Sequence, residues 1–146
     1  MLAMSKRTYY IERFSAIVAS IILLQTLYYK FTGHNDSVFI FTMMEMEPQG
    51  RIILGIIEFI TAFLLLYTRT AHFGGLIATS IMLGAILSHA FVLGIEVKDD
   101  GGTLFILALI AFATSLYVFF ARSDAFYEMY LKMKERKKQR KKQRRK

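Results

Sequence analysis

Glu58 is the lone charge in the apolar stretch Ile52-Ile-Leu-Gly-Ile-Ile-Glu58-Phe-Ile-Thr-Ala-Phe-Leu-Leu-Leu-Tyr67. An ionisable side chain is costly in hydrocarbon, so such a carboxylate faces a protein interior, meets a cation or takes up a proton. Its candidate partners are His89, Gln25, Lys30 and Arg51. A carboxyl–imidazole pair in an apolar bundle can hold or pass a proton, and can hydrogen-bond the carbonyl oxygens of a quinone-like ligand. The structural alternative is a Glu–His–Gln network that locks helix register and binds nothing. No metal site is expected, because Glu58 and His89 are only two ligands without a convincing third.

Four apolar stretches must position these groups: Arg13 to Tyr29, Ile52 to Tyr67, Ala71 to Gly94 and Thr103 to Phe120. Each approaches or exceeds the roughly 20 residues that cross a hydrocarbon core. The first lacks a small-residue cleavage site and is read as a retained span, not a signal peptide. The predicted fold is therefore all-α, a polytopic four-transmembrane-helix bundle. Residues 1–121 form the transmembrane domain, and residues 122–146 an interfacial segment with a polybasic tail.

Helical rise places Gln25 about 7 Å below the outer end of the first span, Glu58 about 10 Å below Arg51, and His89 about 8 Å below Gly94. Three polar groups from three spans thus fall at similar depth in the outer half. On the second span Gly55, Glu58, Thr61, Ala62 and Leu65 share one face, with Arg51 seven residues before Glu58 on the same side. On the third, Ser80, Gly84 and Ser88 make a small-residue stripe suited to helix packing, as does Gly55 on the second. Lys30 sits about 140° around the first helix from Gln25, so the two need not share a face.

Lys6, Arg7, Arg13 and Arg69 lie on the side of the termini, whereas the other two loops carry mostly acids. Basic residues accumulate on the cytoplasmic side, so both termini are expected there, in the inner membrane if the chain is bacterial. The outer loop from Phe31 to Gly50 includes the apolar run Val38-Phe-Ile-Phe-Thr-Met-Met44, suited to an interface or to capping the bundle. Asp99-Asp-Gly-Gly102 reads as a turn. With no cysteine, this chain carries no disulfide, thiolate metal site or thiol relay.

The net charge of +8 belongs to the tail: residues 122–146 hold twelve Lys/Arg against three Asp/Glu. Lys137, Lys138, Arg140, Lys141, Lys142, Arg144 and Arg145 are expected to meet anionic lipid head groups, each worth about 1 kcal/mol near the surface. Nucleic acid is disfavoured as a partner, since the run lacks interleaved aromatics and any recognisable binding domain.

Tyr28-Tyr-Lys-Phe-Thr-Gly33, Gly55-Ile-Ile-Glu58 and Gly84-Ala85 followed by His89, in this order, resemble the DoxX-like membrane proteins across residues 11–121. That family tends to close its first helix with Lys, and to carry Gly-x-x-Glu in the second and Gly-Ala-x-x-x-His in the third. The resemblance implies a four-helix integral membrane protein. Some such proteins are associated with quinone-linked sulfur oxidation or redox-stress complexes, and animal relatives resemble assembly factors. More distant relatives handle disulfides, an activity a chain without cysteine does not inherit.

The function expected from these readings is a subunit or accessory of a membrane redox system, with a quinone or proton at Glu58 and His89. The alternative is a non-enzymatic assembly factor or scaffold working through a membrane protein partner or a second copy. No self-contained catalytic set is present, so an enzyme acting alone is the version least supported.

Overall fold

Apolar runs, caps and glycines divide the chain into five helices in the computed structural model, which describes residues 4–143. The side chains of residues 124–126, 128, 129, 132, 133 and 135–143 lie outside that description. The helices are α1 (Lys6–Thr32), α2 (Asn35–Met43), α3 (Gln49–Leu66), α4 (Ala71–Ser88) and α5 (Thr103–Gln143), and a π-helical turn, His89–Leu93, extends α4. There is no strand among the described residues. Four helices are long and apolar enough to cross a membrane: α1, α3, α4 with its π turn, and α5 as far as Ser123.

These four pack as a ring, α1 against α3, α3 against α4, α4 against α5 and α5 against α1. One face of the ring carries the start of α1, the α3–α4 turn and the extension of α5; it is called the terminal face. The opposite loop face carries α2 and the α4–α5 connection. Between them the core is built largely from small residues, including Ala16, Ala19, Ala62, Ala78 and Ala111, with Leu23, Leu65 and Val118 filling the gaps. Large side chains such as Phe14, Ile53, Phe63 and Phe120 point outward. Hydrocarbon gives Leu or Phe no reason to hide from it, and close helix approach favours small side chains inside.

Local chemistry sets the ends. Ser5 Oγ accepts from the Thr8 backbone N–H to start α1, and Gly33 ends it in a left-handed conformation. The outer loop is not irregular: α2 crosses the loop face against α1, α3 and the π turn, burying Phe41 and Ser37. Asp100 organises the turn before α5, accepting from the N–H groups of Val97 (2.8 Å), Gly102 (2.9 Å) and Leu104 (2.9 Å). Burial opposes the charge on Asp100, but these three donors outweigh it and hold the carboxyl below its ordinary range.

The closest backbone approaches occur at Gly74 and Gly75. A Cβ on Gly74 would lie 2.6 Å from the Leu65 backbone nitrogen, and one on Gly75 would lie 2.8 Å from that of Phe119. Gly84, by contrast, has nothing within 4 Å of such a Cβ. Ser80 and Gly84 are exposed, and Ser80 and Ser88 bond back to their own helix. The sequence stripe Ser80–Gly84–Ser88 therefore faces away from the bundle, and the helix-packing role expected of it inside the bundle falls to Gly74, Gly75 and Ala78.

Candidate functional site: a buried ion pair near the loop face

The side of α3 that packs inward consists of Arg51, Gly55, Glu58, Thr61, Ala62 and Leu65. Opposite it, α1 buries a stripe that ends in Lys30. Gly55 lets the helices close here, with Phe31 and the Lys30 stem directly against it. Side chains on a helix tilt toward its N-terminus, so the Lys30 amine reaches back along α1 toward Thr26, one turn away.

The result is a compact triad. Lys30 Nζ lies 2.8 Å from Glu58 Oε2. It donates to Thr26 Oγ1 at 2.9 Å, and that hydroxyl lies 3.0 Å from Glu58 Oε2 as donor. Glu58 is 3% exposed and Lys30 9%. The carboxylate thus has both a countercharge and a neutral donor, which is what a buried charge needs to be tolerated.

Arg51 sits one layer nearer the loop face. Its guanidinium binds Glu47 through contacts of 2.8 to 3.0 Å and also donates to the Lys30 carbonyl. It therefore caps the last turn of α1, where the backbone dipole favours a cation. The hydrogen bond from Arg51 holds the Glu47 carboxyl below its ordinary range; partial burial opposes this and the guanidinium charge adds to it.

His89 is buried, at 5% exposure, but in a different setting. Its Nδ1 lies 2.8 Å from the Gly94 carbonyl oxygen, and its ring meets Phe105 edge-on at 5.5 Å. Among the described residues no hydrogen bond or ion pair joins His89 to Glu58. Gln25 is exposed on α1, away from the buried stripe. Of the five polar candidates, the structure brings Lys30 to Glu58, places Arg51 just above them, and leaves His89 and Gln25 elsewhere. The carboxyl–imidazole pair expected from matched depth is not assembled, because depth fixes height along the helices and not direction around them.

Two functional groups escaped the sequence reading. Thr26 was passed over, although it is four residues before Lys30 and so on its face. Glu12 was passed over because it precedes the apolar run. It is fully buried at the terminal face, where it pairs with Arg13 and, at 2.8 Å, with Arg122 of α5. Arg13 also donates to the carbonyls of Leu65 and Leu66, closing the C-terminus of α3. The signal for Glu12 was available: it starts the same helical stripe as Ala16, Ala19 and Leu23. Among the described residues no group of three or more His, Cys, Asp or Glu could hold a metal.

Four apolar helices with ion pairs confined to their inward faces define a multi-pass helical membrane protein. No protein-family model, curated protein or solved structure matches the chain.

Proposed function

We propose that this chain is a DoxX-like integral membrane protein with cytoplasmic termini that acts as a non-enzymatic assembly or accessory subunit for other membrane proteins. One observation carries this choice. The groups that would handle a proton or quinone are already engaged, Glu58 by Lys30 and Thr26 and His89 by the Gly94 carbonyl. Such pairing fixes how α1 and α3 meet and leaves the exposed faces of the helices for a partner. The cytoplasmic orientation rests on the Lys and Arg at the terminal face and the acids opposite.

A redox-accessory role, with a quinone at Glu58, is the second reading. It is favoured by the π turn at His89, since such turns recur at functional sites. Infrared difference spectroscopy on protein in lipid nanodiscs, with a short-chain ubiquinone added, separates the two. The accessory reading expects no quinone-induced carboxyl signal that disappears in Glu58→Gln. Such a signal would establish the redox reading in its place. The accessory reading also expects a photo-crosslinker at Ser80 or Gly84, in native membranes, to capture one membrane protein in fixed stoichiometry; diffuse labelling of lipid alone would count against it.

A further inference from the structure

α5 does not end where its membrane-crossing part does. The apolar span closes at Ser123, yet the helix runs on without interruption to Gln143. At 1.5 Å per residue those twenty further residues reach about 30 Å. Lys137 to Lys142 lie about 21 to 29 Å along the axis from Ser123, and a usual tilt near 20° shortens this by only about a twentieth. A head-group layer occupies roughly 6 Å on each side of the hydrocarbon. These residues therefore stand some 15 Å or more beyond the lipid surface, about two Debye lengths at physiological ionic strength. Attraction to anionic lipid has largely decayed at that height. The lipid contact expected from sequence requires a break in α5, and the helix has none before Gln143.

What remains is a basic rod in water. Between residues 132 and 142 the chain carries eight Lys or Arg, and Glu135 is the sole acid. At about 100° per residue these basic positions are distributed around the whole circumference instead of along one face. A helix that lies on a bilayer needs an apolar face, and beyond Leu131 the sole apolar residue is Met133. A protein interface needs aromatic or aliphatic anchors for affinity, which the same segment lacks. Binding to phosphates needs neither: it draws on cations alone and on the counterions they release. The shortage of aromatics, which argues against stacking on single-stranded bases, is no obstacle to contacts with the backbone of a duplex.

We propose that residues 132–143 form a rigid arm that binds the phosphate backbone of duplex RNA, without reading sequence, at a distance from the membrane. This inference is independent of the accessory role.

The test uses the full-length protein in zwitterionic nanodiscs and a fluorescent RNA duplex of arbitrary sequence. Binding is expected to weaken about a thousandfold between 50 and 200 mM salt if some six phosphates are neutralised. Replacing Lys137, Lys138, Lys141 and Lys142 by Gln should lower the affinity at least about a hundredfold at low salt and flatten the salt dependence; these positions lie outside the bundle, so folding is not at stake. Because the chain has no native cysteine, Gln139→Cys takes a single fluorophore. Its emission should be insensitive to a quencher on anionic lipid head groups. Absence of RNA binding, or binding that survives the four substitutions, would overturn the proposal. So would quenching of the label by anionic lipid, which would return the arm to the membrane surface.

Discussion

Removing one partner of the Lys30–Glu58 pair should damage the bundle far more than removing both. The pair is 2.8 Å apart, with Glu58 at 3% and Lys30 at 9% exposure. Loss of one member of a buried pair leaves an uncompensated charge, typically costing 3–5 kcal/mol. Lys30 lies in the last turn of α1 and has a long stem, so on its own it can reach toward the loop face. Glu58 has a shorter side chain and lies in the middle of α3. Glu58→Gln, which strands the lysine, is therefore expected to cost about 2–3 kcal/mol, and Lys30→Met, which strands the carboxylate, about 3–5 kcal/mol. The double variant Lys30→Met/Glu58→Gln should cost no more than either single change, giving a coupling energy of at least about 2 kcal/mol. Equilibrium unfolding in mixed micelles, followed by circular dichroism, measures all four proteins. Additive single effects, or single variants within about 0.5 kcal/mol of the parent, would show that the pair does not hold α1 to α3.

Three further outcomes follow from the packing and the caps. Gly75→Leu should prevent α4 from seating on α5, because even a Cβ would meet the Phe119 backbone at 2.8 Å; a loss of about 3 kcal/mol or more is expected, whereas Gly84→Leu should leave monomer stability within about 0.5 kcal/mol on the same unfolding assay. Glu12→Gln leaves Arg13 and Arg122 facing each other at the terminal face and should cost about 2–4 kcal/mol; a stability equal to the parent would remove the role assigned to that cluster. Asp100→Ala should cost about 1–2 kcal/mol through loss of the three backbone contacts that begin α5. Because the Asp100 carboxyl is held below its ordinary value of 3.8, its contribution is complete above that value and is lost as pH falls through the lower folded one. The parent should therefore lose more stability on acidification below about pH 4 than Asp100→Ala does, and parallel pH profiles would refute the capping role.

The inward face of α3 was legible because a single charge marks it. Glu58 fixed one direction, and helical spacing then selected Gly55, Thr61, Ala62 and Leu65, all of which are buried. The four spans were legible from apolar length alone. α4 offered no such marker. It is apolar all round, with small residues on two sides, and in hydrocarbon neither side is pushed inward by water. Only backbone proximity, at Gly74 and Gly75, distinguishes the packed side. His89 was placed correctly in depth but not in direction, and its bond to Gly94 depends on a π turn that no local pattern announces. Glu12 and Arg122 are 110 residues apart; nothing short of the assembled ring could pair them.

The two ionic clusters make most sense as a pair. Glu12 and Lys30 are eighteen residues apart on α1, which at 3.6 residues per turn is five turns, about 27 Å, and returns to the same side of the helix. One stripe thus carries an anion at the terminal face and a cation near the loop face, with small residues between. The anion meets Arg122 on α5, and the cation meets Glu58 on α3. A helix whose apolar surface is equally content against lipid or protein has little to fix its rotation or its depth. Opposite charges at the two ends of the stripe supply both: a rotation of α1 breaks the two pairs together, and a slide of one turn, about 5.4 Å, removes both from reach. Since each end binds a different neighbour, α1 also sets the relation of α3 to α5, which scarcely touch. On this view the buried carboxylates specify one arrangement among several that lipid alone would allow, and the outward small-residue stripe of α4 is left displayed in a defined direction.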